Sequence, residues 1–195
     1  MNFFQTWITG YYNPVKLAGE LSAKKAPHWG IYATGIRGLL NSLLLYLPLV
    51  FMGKEPTSPS WFTFLPTEDY YIVSVFFVPF FFYIVWLFLS AFTHAIIRLL
   101  GLTSNIDHIL NITAFNSLIV GAFILVWDWI WILTGWHNPF MLGISHLIID
   151  IWYIIITSVC FIRILNLKPI TAVLLNLLWI IVAVPIAMLF MRAPV

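Results

Sequence analysis

Five long apolar runs, each at or beyond the roughly 20 residues that a bilayer's hydrocarbon core asks of a spanning helix, leave this chain few ways to fold. They cover 29–52, 70–100, 108–134, 141–165 and 169–191. A water-soluble protein would need charged side chains to cover so much apolar surface. Here 8% of the 195 residues are charged and 62% are hydrophobic, against roughly 25% charged in a soluble domain. A bilayer makes no such demand of lipid-facing helices. The expected fold class is therefore all-α, a polytopic transmembrane helical bundle of about five spanning helices, with the lipid bilayer as its main partner.

The breaks between the runs are short. Gly53 to Pro66 closes the first run, and its prolines prevent helix continuation. Gly101 to Asp107 follows the second run, in which Pro79 is a candidate kink. Gly135, Asn138 and Pro139 then mark a tight connection to the fourth run, and Asn166 to Pro169 lead into the fifth. Consecutive spans should thus be antiparallel neighbours. With a cytoplasmic N-terminus, Lys16, Lys24, Lys25, Arg37, Arg98, Arg163 and Lys168 fall on the cytoplasmic side and Lys54 and Arg192 on the other. That bias follows the positive-inside rule. It predicts a C-terminus on the opposite side of the membrane.

Residues 1–28 are expected to form a cytoplasmic N-terminal segment ahead of a five-helix domain over 29–195. Pro14, Lys16, Leu17, Glu20, Leu21, Lys24 and Lys25 place apolar and basic positions three to four apart, which predicts a short interfacial amphipathic helix. Pro14, Pro27 and the charges around them interrupt any cleavable apolar leader, so the first span should direct insertion. Trp29, Trp61, Trp129, Trp131 and Trp136 lie near span ends and are expected to form an aromatic belt. The small residues Gly35, Gly38 and Ser42 offer close helix packing, within the chain or between copies.

A net charge of +2 without a run of like charges speaks against a nucleic-acid partner. Cys160, the one cysteine, lies in an apolar stretch and reads as a buried thiol. The chain contains no phosphate-binding glycine loop, HExxH, GxSxG or paired CxxC. No catalytic residue and no cofactor is therefore implied.

Ionisable groups within a span are costly, at least about 2.5 to 3.5 kcal/mol near the helix centre, so each is a functional hypothesis. Asp128, His146 and Asp150 form the candidate intramembrane polar cluster. Asp128 lies near the outer end of the third run, His146 and Asp150 share one face of the fourth, and the tight connection brings the two runs together. Such a cluster could form a neutralised structural pair, relay a proton, bind a cation or hold a metal, although zinc would want a further nitrogen or sulfur ligand. A second set, His94, Arg98, Asp107 and His108, surrounds the most polar short loop. There Arg98 is expected to pair with Asp107, itself well placed at a helix N-terminus. Asn116, Ser117 and Asn176 read as interhelical hydrogen-bond formers.

Asn13-Pro14 and the amphipathic stretch after it, the segment HAIIRLLGLTSNIDHILNITAFNSL from His94 to Leu118, the aliphatic run Trp152 to Leu165 ending near Arg163, and Lys168 to Ala172 together cover most of the chain. They resemble the Yip family of Ypt/Rab-interacting membrane proteins, in particular its small prokaryotic branch. The chain has Gly101-Leu102 where that family often carries two glycines. The resemblance implies a five-helix domain with a cytoplasmic N-terminus and a non-enzymatic role as scaffold or adaptor in membrane organisation or trafficking, with other membrane proteins or self-association as partners. The alternative drawn from the residues is a small transporter or an ion- or proton-conducting bundle built on Asp128, His146 and Asp150, with Pro79 and Pro185 as hinge positions.

Overall fold

The computed structural model describes residues 1–56, 66–190 and 192. Two short helices, α1 (Phe3–Gly10) and α2 (Pro14–Ser22), precede five long ones. These are α3 (His28–Phe51), α4 (Tyr70–Leu99), α5 (Ile106–Thr134), α6 (Pro139–Leu165) and α7 (Pro169–Phe190). All five are long and apolar enough to cross a membrane. Their ends lie within two residues of the apolar runs. The described residues contain no strand, and the chain is an all-α, multi-pass membrane protein. Trp61 and the centre of the break after α3 lie outside the described residues.

Polar caps set the helix ends. The Asn105 side chain accepts from the amides of Asp107 and His108 and starts α5, and Asn138 does the same for α6 through Met141 N, with Pro139 in the first turn. Gly135 (φ 71°) and Asn166 (φ 55°) end α5 and α6 in the left-handed conformation, which reverses the chain within a few residues.

Prolines inside α3 and α4 lack the N–H that would reach back one turn, and neighbouring helices supply the donor instead. Pro48 leaves the Leu44 carbonyl to Trp129 Nε1, which donates to it at 2.7 Å. Pro79 leaves the Val75 carbonyl to Ser42 Oγ. A π-helical turn over Ser42–Tyr46 adjoins both exchanges. Here α3 and α4 touch closely. A Cβ on Gly38 would lie 2.8 Å from Cα of Pro79, and one on Gly35 would lie 2.6 Å from the Tyr83 hydroxyl, which donates to Ile31 O at 2.9 Å. Gly35, Gly38 and Ser42 thus serve packing within the chain.

The main core forms around α5, which packs on α3, α4, α6 and the N-terminal pair. Asn111, fully buried, is its principal tie. Its side-chain oxygen accepts from Gly30 N at 2.7 Å and its nitrogen donates to Ala26 O at 2.9 Å, fixing the start of α3 on α5. Phe115 stacks on Trp29 (5.7 Å between ring centres) and meets Phe3 edge-on at 5.0 Å. Asn116 Nδ2 donates to Thr157 Oγ1 of α6, and Asn176 Nδ2 of α7 donates to Ser158 Oγ, each at 3.1 Å. Cys160 is fully buried in the same core.

The N-terminal segment differs from the single interfacial helix expected. Helices α1 and α2 form a hairpin, closed by the Met1 ammonium on Glu20 at 2.8 Å, whose apolar stripe of Leu17, Ala18 and Leu21 is buried against α5 and α6. Gly10, at the hairpin's turn, abuts Ile119, the fourteenth residue of α5. The turn therefore reaches the middle of that helix. The stripe finds side chains of the bundle before it can find headgroups, because only six residues separate Ser22 from Trp29 and hold the hairpin close. Lys24 caps the junction, its ammonium 4.0 Å from the centre of the Trp29 ring.

The aromatic belt is also only partly a belt. Trp136 is exposed, but Trp29 and Trp131 are buried, the latter edge-on to Trp136 at 5.1 Å. Indoles near span ends are drawn into the packing wherever a neighbouring helix offers a ring or a carbonyl.

Candidate functional site

The end of α5 and the start of α6 are joined by the short connection around Gly135, which sets their facing side chains at one level. Asp128 (5% exposed) accepts from His146 Nε2, or donates to it, across 2.8 Å. Asp150, one turn further along α6, is half-buried and has no hydrogen bond with a described residue. It lies within electrostatic range of both His146 and Arg37. The three residues do not converge as a ligand set: among the described residues no three of His, Cys, Asp and Glu could hold a metal ion.

Arg37 completes this region. The basic-residue bias assigns it to the cytoplasmic side, and the structure corrects that placement. It stands ten residues into α3 and is 7% exposed, in the interior of the bundle. Its Nη1 donates to Asn41 Oδ1 one turn along the same helix, and its guanidinium centre sits 5.0 Å from the ring centre of Phe82 on α4. Gly121 of α5 makes the space, since a Cβ there would overlap the guanidinium itself. Arg37 is coupled electrostatically to Asp128 and Asp150 without forming an ion pair with either. A positive charge from α3 thus faces two carboxylates from α5 and α6, one of them hydrogen-bonded to His146.

The second set is only partly assembled. His94 Nδ1 and Ser104 Oγ are hydrogen-bonded at 2.8 Å, so the loop after α4 folds back over His94. The expected pair of Arg98 with Asp107 is absent: the ion pairs among the described residues are Met1 with Glu20 and His146 with Asp128. Gly101 (φ 73°) turns the chain, Asn105 caps α5, and Arg98, one turn beyond His94, is left exposed. Asp107 stands in the first turn of α5, where its charge suits the helix dipole. His108 Nδ1 is buried there without a hydrogen-bond partner among the described residues.

Arg37, Asn41 and Gly121 are absent from the candidate residues named from sequence. The signal was available in the position of Arg37, eight residues after Trp29 in a run read as membrane-spanning, which is too deep for a loop charge. A helical spacing of four to Asn41 strengthens it. Gly121 carries no comparable signal.

Fold and site together define the class: a multi-pass helical membrane protein with ionisable side chains from three helices in its interior. Comparison of the chain with protein-family models, with curated proteins and with solved structures gives no match.

Proposed function

We propose that the protein is a non-enzymatic membrane scaffold or adaptor of the Yip type, with a cytoplasmic N-terminus and the C-terminus on the opposite side. The observation that carries this reading is how the interior charges are used. Asp128 and His146 bond α5 to α6, and Arg37 bonds to Asn41 within α3 and packs on Phe82 of α4 and Gly121 of α5. Outward, α4 presents Phe76, Phe80 and Ile84, and α6 presents Ile148, Ile151 and Ile155, faces suited to lipid and to helices of other membrane proteins. The basic-residue bias and the family resemblance support the orientation.

A second reading, proton or cation handling, is favoured by one specific observation. Asp150 has no hydrogen-bond partner among the described residues yet lies one turn from His146, itself bonded to Asp128. A carboxylate so placed can exchange a proton with the imidazole.

Water access at Asp150 separates the two. With Cys160→Ala as background, Asp150→Cys is treated with membrane-impermeant and membrane-permeant thiol reagents. The scaffold reading expects protection from both, with labelling restored on denaturation. Labelling of the folded protein by the impermeant reagent would reveal an aqueous path to that depth and replace the scaffold by a transporter or channel.

A further inference from the structure

An apolar groove of about 400 Å³ runs between α1, α3 and α4. Phe3 and Phe4 of α1 line it on one side, Tyr32, Ile36 and Leu39 of α3 on another, and Tyr83 of α4 completes it. Gly35 adds no side chain there. Phe4, Tyr32 and Leu39 are each more than half exposed, so the groove opens outward and not into the bundle. Its volume is that of a small-molecule site, roughly 300–1,000 Å³. Walls almost free of polar atoms give water little reason to fill it.

Depth and charge say what fits. Tyr32 and Leu39 stand four and eleven residues beyond His28, where α3 begins, or about 6 and 17 Å along the span at 1.5 Å per residue. That is the depth of acyl chains in one half of a hydrocarbon core about 30 Å thick. The end of the groove nearest the start of α3 is basic. Phe3 meets Trp29 with ring centres 5.5 Å apart, Lys24 Nζ lies 4.0 Å from the centre of the same indole, and the His28 ring lies 6.4 Å from that of Tyr32. Lys25 and His28 are exposed beside them. Glu20, the one acidic residue among the first 28, is held by the Met1 ammonium, which leaves these lysines without a carboxylate from their own segment. The geometry points to a binding site for an anionic glycerophospholipid of the leaflet on the N-terminal side, with one acyl chain laid in the groove and the phosphate against Lys24, Lys25 and His28. A neutral lipid has the same chain to offer, but each lysine near the membrane surface strengthens the hold on an anionic one about fivefold. The site requires only that the long helices span the membrane, and it holds under either functional reading above.

The full chain in nanodiscs of equal phosphatidylglycerol and phosphatidylcholine tests this. Native mass spectrometry after release counts the lipids each chain retains, and phosphatidylglycerol carrying a diazirine on one acyl chain maps where that chain lies. One retained phosphatidylglycerol per chain is expected, with cross-links in the segments 3–4 and 32–39. Leu39→Trp, which fills the groove from an exposed position, should lower retention about tenfold, whereas Ile181→Trp on the outward face of α7 should leave it unchanged. Lys24→Gln with Lys25→Gln should lower the preference for phosphatidylglycerol over phosphatidylcholine about tenfold. Size exclusion checks that each variant is folded. Equal retention of the two lipids by the wild-type chain, cross-links spread over all the outward faces, or a paired chain that shields the groove with no lipid retained would each overturn the site.

Discussion

Helices α5 and α7 are both apolar enough to span a membrane, yet the most apolar stretch of α5 is 67% buried and that of α7 is 17% buried. The difference lies in what interrupts the hydrocarbon. Asn111, Thr113, Asn116 and Gly121 give α5 hydrogen-bond partners and close approach for α3, α4 and α6. Helix α7 offers Asn176 toward α6 and otherwise presents branched aliphatic side chains such as Ile170, Leu174 and Ile181 to its surroundings. Apolar helices gain nothing from hydrophobicity by leaving lipid for protein, so packing and hydrogen bonds decide which one becomes central.

Substitutions along the two helices test that contrast. Phe115→Ala, which empties a fully buried site between Trp29 and Phe3, should have the largest effect, about 3–5 kcal/mol. Its measure is the unfolding midpoint in mixed micelles titrated with denaturing detergent. Gly30→Ala comes next. The added methyl would lie 2.7 Å from the carbonyl oxygen of Leu110, a backbone atom of α5 that cannot step aside, at a cost of about 1–3 kcal/mol. Asn111→Leu removes both bonds to the start of α3 and should cost about 1–2 kcal/mol, with faster amide exchange at Gly30 as an independent sign. Ile181→Ala on the outward face of α7 should stay within about 0.5 kcal/mol. A loss at Ile181 as large as that at Phe115 would break the contrast, and would mean that another chain covers α7.

The candidate site divides along similar lines. The meeting of Asp128 with His146 could be worked out from depth along two runs and the tight connection around Gly135, because antiparallel neighbours joined by a short turn face each other at equal depth. Charge and proximity in sequence favour a pair of Arg98 with Asp107, but Ser104 draws the loop onto His94 and the pair does not form. The basic-residue bias places Arg37 on the cytoplasmic side, whereas its side chain reaches across to Gly121 of a helix more than eighty residues away in sequence. Only a glycine at that distant position allows the guanidinium to enter.

The sequence by itself determined the five spans, their ends and their antiparallel order, since these depend on local hydropathy, caps and loop length. Only the tertiary structure decided that α5 is the hub, that the hairpin of α1 and α2 reaches into the bundle, and that Arg37 lies buried against Gly121. Lipid and protein interior are equally apolar, so a hydropathy pattern marks what leaves water and is silent on which of the two it enters.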